Sequence, residues 1–348
     1  MRCYKKLTVL LLMFSYFTGA SCKKSSSTPP AGVAPTNLVV NAVVSTDGSG
    51  KVSFTATADN AVSYEYDFGD GSYTVTVPSG STEYVYTMEG TNPYTVKVTA
   101  KSSSNLFVSK SISINVNHVL AVVWSDEFNT DGSPDPTKWG YDLGAGGWGN
   151  NELEYYTNRI ENAVVAGGVL KINLIKENYM GSPYTSARML TKDKYAFKYG
   201  KVEARAKMPA GVGTWPAIWM LGSDISTTGW PGCGEIDIME HLGRDLNNIY
   251  ATFHYPGRSG GNANGATKMI TNATTEFHIY TLEWNAYNMK ISVDGEVIHS
   301  LVNTSSIPFN HDFFLIMNIA IGGNFGGPIV DPAITNATME VDYVRVYK

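Results

Sequence analysis

Three carboxylate side chains lie within six residues of an otherwise apolar stretch, at Glu235, Asp237 and Glu240. Alternate side chains of a β-strand share one face, so Glu235 and Asp237 are expected to point the same way. Glu240 is out of phase by one residue, and a β-bulge after Asp237 would return it to that face. A retaining glycosidase needs two nearby carboxyl groups, one as nucleophile and one as proton donor. The spacing therefore predicts such an acid pair, with a solvated polar face on an edge strand as the alternative.

Tryptophan side chains lie close to this stretch in the sequence. Trp215 and Trp219 are four residues apart, so they share a face if they lie on one regular strand, and Trp230 comes shortly before the acids. Flat aromatic faces are suited to stacking on sugar rings. We expect these three rings to line a sugar-binding cleft, although packing in the core would also explain them.

Composition limits the class of protein. The chain has 348 residues, of which 43% are hydrophobic and 16% charged, and this favours a β-rich exported protein with two domains. The net charge of −5 argues against nucleic acid as a partner. There are only three cysteines, so no disulfide framework is predicted, and Cys233 is interpreted as a small buried thiol. No group of histidines and cysteines has the spacing of a zinc site.

The first 22 residues are typical of an export signal, with a basic start and an apolar stretch at 7–17 that is too short to span a bilayer. The signal ends in T-G-A-S-C, which resembles a bacterial lipoprotein cleavage box with Cys22 as the lipidated residue, although Gly19 stands where Leu is usual. This predicts an outer-membrane lipoprotein that meets the membrane through its lipid anchor only; ordinary secretion is the alternative. Residues 23–36 are rich in Ser and Pro and are interpreted as a linker.

Residues 37–117 contain short alternating runs separated by turn residues, as in an all-β sandwich. The segment Y-E-Y-D-F-G-D-G at 64–71 resembles the W-D-F-G-D-G signature of PKD-type domains, with Tyr66 where Trp is usual. That resemblance implies an immunoglobulin-like fold. All seven tryptophans lie at position 124 or later, so we expect this domain to be a spacer and not a sugar-binding module.

Residues 118–348 contain many strand-like runs and no long helical periodicity, which predicts a two-sheet jelly-roll sandwich. Several motifs in this region together resemble glycoside hydrolase family 16, and within it the laminarinase-like β-1,3-glucanases. The motifs are W-S-D-E-F at 124–128, G-W-G-N-N-E-L-E-Y-Y-T at 147–157, S-A-R at 186–188, G-T-W-P-A-I-W-M-L at 213–221, the acidic strand at 234–241, M-N-I-A-I-G-G-N at 317–324 and V-D-Y-V-R-V-Y at 341–347.

The resemblance implies a role for each acid. Glu235 matches the nucleophile, Glu240 the general acid/base, and Asp237 the middle carboxylate that hydrogen-bonds the nucleophile. Crowded like charges are expected to raise one pKa, which keeps Glu240 protonated while Glu235 stays ionised. Retention of configuration requires the two catalytic carboxyl groups to lie about 5–5.5 Å apart.

The same resemblance implies further contacts. Substrate-binding positions are Asn151, Glu152, Arg188, Trp215, Trp219, Trp230, His254 and Asn318. A structural calcium ion, bound by oxygen ligands, is implied near Glu127, Gly168 and Asp342. No cofactor is implied for catalysis. Phe325 stands where many laminarinases carry Trp, which implies a weaker stacking subsite.

The sequence therefore predicts a monomeric, retaining endo-β-1,3-glucanase that acts on β-glucan. Two alternatives remain open. The same fold could act on mixed-linkage glucan or on a marine galactan, because galactanases of this family share the bulged acidic motif. A non-catalytic glucan-binding surface protein is an alternative of another class, although a pure binder has no reason to keep three adjacent carboxylates.

Overall fold

The computed structural model describes residues 32–348, so the predicted signal, Cys22 and most of the linker lie outside the described residues. Within that range the chain forms two β-sandwiches, one after the other. The helices are short: α1 (Ile225–Thr228), α2 (Gly323–Gly326) and two 3₁₀ turns at Gly147–Gly149 and Gly260–Asn262. None of the helices in residues 32–348 is long and apolar enough to cross a membrane.

The first sandwich has seven strands: β1 (Thr36–Val44), β2 (Lys51–Asp59), β3 (Ser63–Asp67), β4 (Val75–Val77), β5 (Ser81–Val85), β6 (Gly90–Lys101) and β7 (Phe107–His118). One sheet has the order β1-β2-β5 and the other β4-β3-β6-β7. Alternate residues of β2 and β6, such as Phe54, Val96 and Val98, are buried between the sheets. The all-β sandwich predicted for this region is present, with a core of its own.

The D-F-G-D-G segment forms a tight turn after β3. The carboxylate of Asp67 accepts the Gly69 N–H, and that of Asp70 accepts the Ser72 N–H and the Tyr84 hydroxyl. Tyr66, which replaces the usual Trp, is fully buried and donates its hydroxyl proton to the Gly80 carbonyl. These local bonds account for the motif physically, while assignment to the PKD type stays a prediction.

The second sandwich contains the remaining strands. They are β8 (Val122–Asp126), β9 (Gly140–Asp142), β10 (Glu154–Tyr156), β11 (Ala163–Val165), β12 (Leu170–Tyr179), β13 (Ser182–Ser186), β14 (Arg188–Leu190), β15 (Gly200–Lys207), β16 (Thr214–Gly222), β17 (Glu235–Leu242), β18 (Asp245–His254), β19 (Asn264–Met269), β20 (His278–Trp284), β21 (Asn288–Val293), β22 (Glu296–Val302), β23 (Phe313–Ile321) and β24 (Asn336–Tyr347).

Two large sheets pack face to face in this sandwich, as the predicted jelly roll requires. The ten-stranded sheet has the order β10-β13-β12-β24-β15-β20-β21-β22, with β11 beside β12 and β8 beside β24. The seven-stranded sheet has the order β19-β18-β17-β16-β23-β14-β9. The central strand β23 is buried along its whole length. The core between the sheets includes Ile236 and Ile238 of β17, so the apolar residues of the acidic strand point inward and fix which face carries its acids.

The strand limits differ slightly from the predicted linker and domain boundaries. β1 begins at Thr36, the last residue of the predicted linker, and β7 ends at His118, the first residue of the predicted second domain. His118 pairs with Gly90 in the antiparallel β6–β7 ladder, which continues the first sandwich by one residue. The ends of these strands are set by pairing with the partner strand. The boundaries were predicted from a change in composition along the chain, which carries no information about that pairing.

Candidate active site

The predicted β-bulge is present in β17. Asp237 pairs with Thr252 of β18, whereas Glu240 pairs with Tyr250, so three steps on β17 match two on its neighbour. The pairing with β16 has a register shift at the same place. The extra residue returns Glu240 to the face of the other two acids.

Indole N–H groups contact the outer two acids. Trp215 Nε1 donates to Glu240 Oε1 at 2.9 Å, and Trp230 Nε1 donates to Glu235 Oε2 at 3.0 Å. The hydroxyl of Thr252 lies 3.4 Å from the second oxygen of Glu240. Because these groups donate to carboxylate oxygens, they stabilise the ionised forms and hold both side chains in fixed positions.

His254 faces the other acids. Its Nε2 atom lies 3.1 Å from Asp237 Oδ2 and 3.6 Å from Glu235 Oε1. Its Nδ1 atom accepts the Gly260 N–H at 3.2 Å, so the neutral ring carries its proton on Nε2, toward the acids. Ligand atoms of Glu235, Asp237 and His254 lie within 4.8 Å of one another, close enough to share a metal ion. A metal bound to Nε2 of His254 would require the ring proton on Nδ1, and the Gly260 N–H donated to Nδ1 opposes this. The arrangement therefore favours a proton shared between His254 and the acids over a bound metal ion.

Burial raises the pKa of all three acids. The pKa of Glu235 rises to about 8, first through burial and then through the neighbouring Asp237 charge. Burial also raises the pKa of Asp237 to about 8, and burial followed by repulsion from Asp237 raises that of Glu240 to about 8. The sequence predicted one raised pKa, whereas all three pKa values are raised because all three carboxyl groups are buried. His254 lowers the pKa of Glu235, and the Trp215 N–H that of Glu240.

A hydrogen-bonded chain leads from Trp219 into the protein. Trp219, opposite Asp237 in the β16–β17 ladder, donates its Nε1 proton to Asn318 Oδ1 at 2.9 Å. Asn318 Nδ2 in turn donates to the Tyr156 hydroxyl at 3.0 Å. The polar Asn318 in an apolar strand is therefore explained by its two partners, one of which lines the cleft.

Arg188 lies between two tryptophans. Its guanidinium carbon is 4.7 Å from the ring centre of Trp219 and 4.9 Å from that of Trp148, and its Nε atom lies 3.0 Å from an Asp142 oxygen. These two cation–π contacts hold the guanidinium in place. Trp148 was not among the predicted site residues. A left-handed backbone at Trp148 (φ 48°) between two glycines is what places this ring, and the G-W-G pattern is the only sequence signal for it.

Asn151 and Glu152 occupy different environments. Asn151 is exposed and donates to the Asn324 side chain at 2.8 Å, which ties its loop to α2 beside the cleft. Glu152 is buried, and its oxygens accept protons from Asn150 and Tyr156 inside the protein. In this structure the Glu152 carboxylate is hydrogen-bonded to groups of the protein itself, whereas the sequence predicted that it contacts sugar.

Aromatic rings extend the cleft on both sides of the acids. Trp230 is 49% exposed and its ring centre lies 5.8 Å from that of His254, so it offers a free face to a ligand. On the other side, Phe325 packs edge-on against Trp215 and Tyr250, with ring centres 5.6 and 5.1 Å apart. Phe325 therefore braces Trp215 at the position where the resemblance implied a stacking ring.

The residues predicted to bind calcium lie away from this cleft, around the ten-stranded sheet. Both oxygens of Glu127 accept protons from Arg345, at 2.9 and 2.8 Å, and Asp342 accepts one from Arg205 at 2.6 Å. Gly168 lies in the turn between β11 and β12. Guanidinium groups therefore pair with both side-chain oxygens of Glu127 and with one oxygen of Asp342, and the calcium site stays a prediction.

Comparison with known proteins covers the second sandwich. A family model described as glycosyl hydrolases family 16 matches residues 150–345. A β-glucanase from Rhodothermus marinus is 46% identical over 65% of this chain and 85% of its own length. The solved structure of the Rhodothermus marinus laminarinase is 45% identical and superimposes with a TM-score of 0.64, covering 66% of this chain and 97% of that one. SCLam, described as a non-specific endo-β-1,3(4)-glucanase, is 41% identical with a TM-score of 0.62, covering 66% and 91%.

Proposed function

This chain belongs to glycosyl hydrolase family 16, and on that premise we propose that it is a retaining endo-β-1,3-glucanase that hydrolyses β-glucan by double displacement. The observation that carries the proposal is the bulged strand β17, which presents Glu235, Asp237 and Glu240 together in a cleft lined by Trp215, Trp219 and Trp230. A cluster of buried carboxyl groups destabilises a fold, so it indicates chemistry more than structure.

In the first step Glu235 attacks the anomeric carbon. A bond forms between its carboxylate oxygen and that carbon, the glycosidic bond breaks, and Glu240 gives its proton to the leaving oxygen. In the second step water attacks the same carbon, Glu240 takes the proton from that water, and the Glu235 carboxylate leaves. Two inversions restore the β-configuration.

Asp237 and His254 control the charge of the nucleophile in this scheme. Asp237 lies between Glu235 and Glu240 along the strand, and the Nε2 atom of His254 lies 3.1 Å from Asp237 and 3.6 Å from Glu235. Together with the Trp230 N–H, the His254 dipole favours ionisation of Glu235 first. That first negative charge then opposes ionisation of Glu240, which keeps the proton donor loaded.

Mixed-linkage glucan is a second candidate substrate, favoured by the likeness to SCLam. The two substrates share the scissile β-glucosidic chemistry and differ in the bend that they impose on the chain in the cleft. Comparing kcat/KM on laminarin with that on mixed-linkage glucan distinguishes them.

The test of the catalytic proposal is Glu235→Gln. The amide keeps the shape of the side chain and cannot act as the nucleophile, so hydrolysis of laminarin should fall by roughly a thousandfold or more while binding of laminari-oligosaccharides persists. Glu276→Gln changes an exposed glutamate in a loop and serves as the matched control. Unchanged turnover in Glu235→Gln would remove the assigned mechanism, and binding without turnover in the parent protein would favour the glucan-binding alternative.

We also propose the organisation expected from the sequence: a lipoprotein signal at 1–22 with lipidation at Cys22, a linker to residue 36, a PKD-type spacer at 37–117 and a catalytic domain from 118, acting as a monomer. Metabolic labelling with palmitate, lost in Cys22→Ser, tests the anchor. The calcium ion stays a prediction; a rise in melting temperature when calcium is added after chelation would support it against the arginine pairing observed at Glu127.

A further inference from the structure

A buried pair of carboxyl groups lies behind the cleft, outside the proposed catalytic machinery. Glu154 of β10 is fully buried and Glu152 is 9% exposed. The Ile321 N–H donates to Glu154 Oε2 at 2.7 Å, whereas Glu154 Oε1 has no donor among residues 32–348. Leaving a buried carboxylate oxygen without a donor costs free energy, so this oxygen requires an explanation.

Glu152 is the acceptor of the pair. Its Oε2 accepts the Tyr156 hydroxyl at 2.9 Å and its Oε1 accepts Asn150 Nδ2 at 3.2 Å. The neighbouring Glu152 acts on Glu154: burial, followed by the Glu152 charge, raises the pKa of Glu154 well above its usual range. A proton on Glu154 explains both facts, since its Oε1–H then donates to Glu152.

The hydrogen bonds that lead from the cleft into the protein end on Glu152. Protons are donated in one sense, from Trp219 to Asn318, from Asn318 to Tyr156 and from Tyr156 to Glu152. If Glu152 held the proton and donated it to Tyr156, Asn318 would have to accept from Tyr156 and turn its amide. Its Nδ2 protons would then face the Trp219 N–H, donor against donor.

We propose that Glu154 is a positioning residue that holds a proton shared with Glu152. The shared proton keeps Glu152 in place to accept from Tyr156, at the end of the hydrogen-bonded chain that holds Asn318 and Trp219 in the cleft. The effect on sugar binding rests on the proposed function. The protonation of Glu154 does not, because a measurement of stability tests it.

The stability test compares the whole protein with Glu154→Gln by denaturant unfolding from pH 5 to pH 8. Because the pKa of Glu154 is raised in the folded state, its contribution is complete below the ordinary value of 4.5 and is lost as the pH rises toward the folded value. The Gln side chain is uncharged, so the stability of the variant does not decrease with pH in this way. The ratio of the two unfolding equilibrium constants should therefore change by up to about tenfold per pH unit, in favour of the variant. A ratio that is constant with pH would overturn the proposal, as would failure of Glu154→Gln to fold at pH 5.

The positioning test adds Glu154→Met, which is equally uncharged and cannot donate. Both variants should show the same pH-dependent ratio, but only Gln can keep the bond accepted from the Ile321 N–H and replace the one donated to Glu152. On laminarin, Glu154→Met should raise KM roughly tenfold with kcat within about threefold, and Glu154→Gln should restore KM to within about threefold of the parent. Equal KM values for the two variants would contradict the positioning role. If the parent protein does not hydrolyse β-glucan, the stability ratio still decides where the proton lies.

Discussion

At the scale of single residues, the catalytic proposal depends on how three buried acids divide their protons. The donors around them are unequal: Glu235 faces Trp230 and His254, whereas Glu240 faces Trp215 and Thr252. The spacing of the three acids along the strand was enough to predict from the sequence that they share one face. The sequence did not predict that burial raises all three pKa values, because the depth of a cleft depends on loops distant in the chain.

The alkaline limit of activity follows from Glu240. Its pKa is raised to about 8, so the proton donor is present below that pH and is lost as the pH rises through it. We expect kcat/KM on laminarin to fall about tenfold per pH unit above this limit. An aryl glucoside whose leaving group needs no proton is the control, since its cleavage should show a much weaker alkaline decline. Equal declines on both substrates would show that deprotonation of Glu240 does not cause the alkaline loss of activity.

Trp215→Phe tests the hydrogen bond on Glu240. The Trp215 N–H lowers the pKa of Glu240, so its removal should move the alkaline limit to higher pH while the aromatic face is kept. Trp124→Phe, in which the replaced ring stacks on Tyr195 away from the acids, is the matched control. A limit that stays in place in both variants would mean that Trp215 does not control the proton donor.

At the scale of elements, β17 is positioned by its neighbours in the seven-stranded sheet. The N–H of Gly222, at the end of β16, donates to the carbonyl of Gly234, the residue directly before β17. A Cβ atom on Gly222 would lie 2.0 Å from the Cys233 carbonyl oxygen and 2.7 Å from His311 Nε2. This is a close approach of two backbones directly before the nucleophile.

Gly222→Ala should therefore destabilise the protein by about 1–3 kcal/mol or more and lower kcat, because a backbone oxygen cannot rotate away as a side chain can. Gly261→Ala is the control: its Cβ would meet nothing within 4 Å and its backbone does not require glycine. Melting temperature and laminarin turnover report the two effects. Similar stability for both alanine variants would show that β16 and β17 can separate at this point.

The elements also show where sequence interpretation ends. The jelly-roll class and the bulge were predictable because they depend on periodicity within one strand. The environment of Glu154 was not, because Ile321, which donates to it, lies 167 residues away. Asn318 likewise lies 162 residues from Tyr156, to which it donates. Glu152 matched a sugar-binding position in the family pattern, yet here its oxygens are committed to Tyr156 and Asn150. Pattern matching identifies a position, and packing decides which way its side chain points.

At the scale of the whole molecule, side chains of the first sandwich contact the ten-stranded sheet of the second. Glu89 pairs with Lys201 at 2.9 Å, Thr87 accepts from Asn285 at 3.3 Å, and the ring of Tyr73 packs edge-on against Tyr287. Lys201 lies in β15 and Asn285 directly follows β20, and both strands belong to the ten-stranded sheet. The acids lie in the seven-stranded sheet. The cleft therefore does not depend on the first sandwich.

Removal of residues 1–118 should leave kcat/KM on soluble laminari-oligosaccharides within about twofold of the parent. The two cores are separate, and the Lys201–Glu89 pair, in which the Glu89 side chain is 57% exposed, is worth about 1 kcal/mol or less. Assays of both forms on soluble oligosaccharides and on insoluble glucan distinguish a spacer from a binding module. A loss confined to insoluble glucan would contradict the spacer role.

The most direct test of the central proposal is to follow the newly formed anomer by NMR while the protein digests laminarin. A retaining endo-β-1,3-glucanase that acts through Glu235 and Glu240 releases β-anomeric oligosaccharides of several lengths first, and the α-anomer appears later by mutarotation. Initial release of the α-anomer would contradict the double displacement. Absence of cleavage, with laminarin still bound, would contradict the enzymatic account itself.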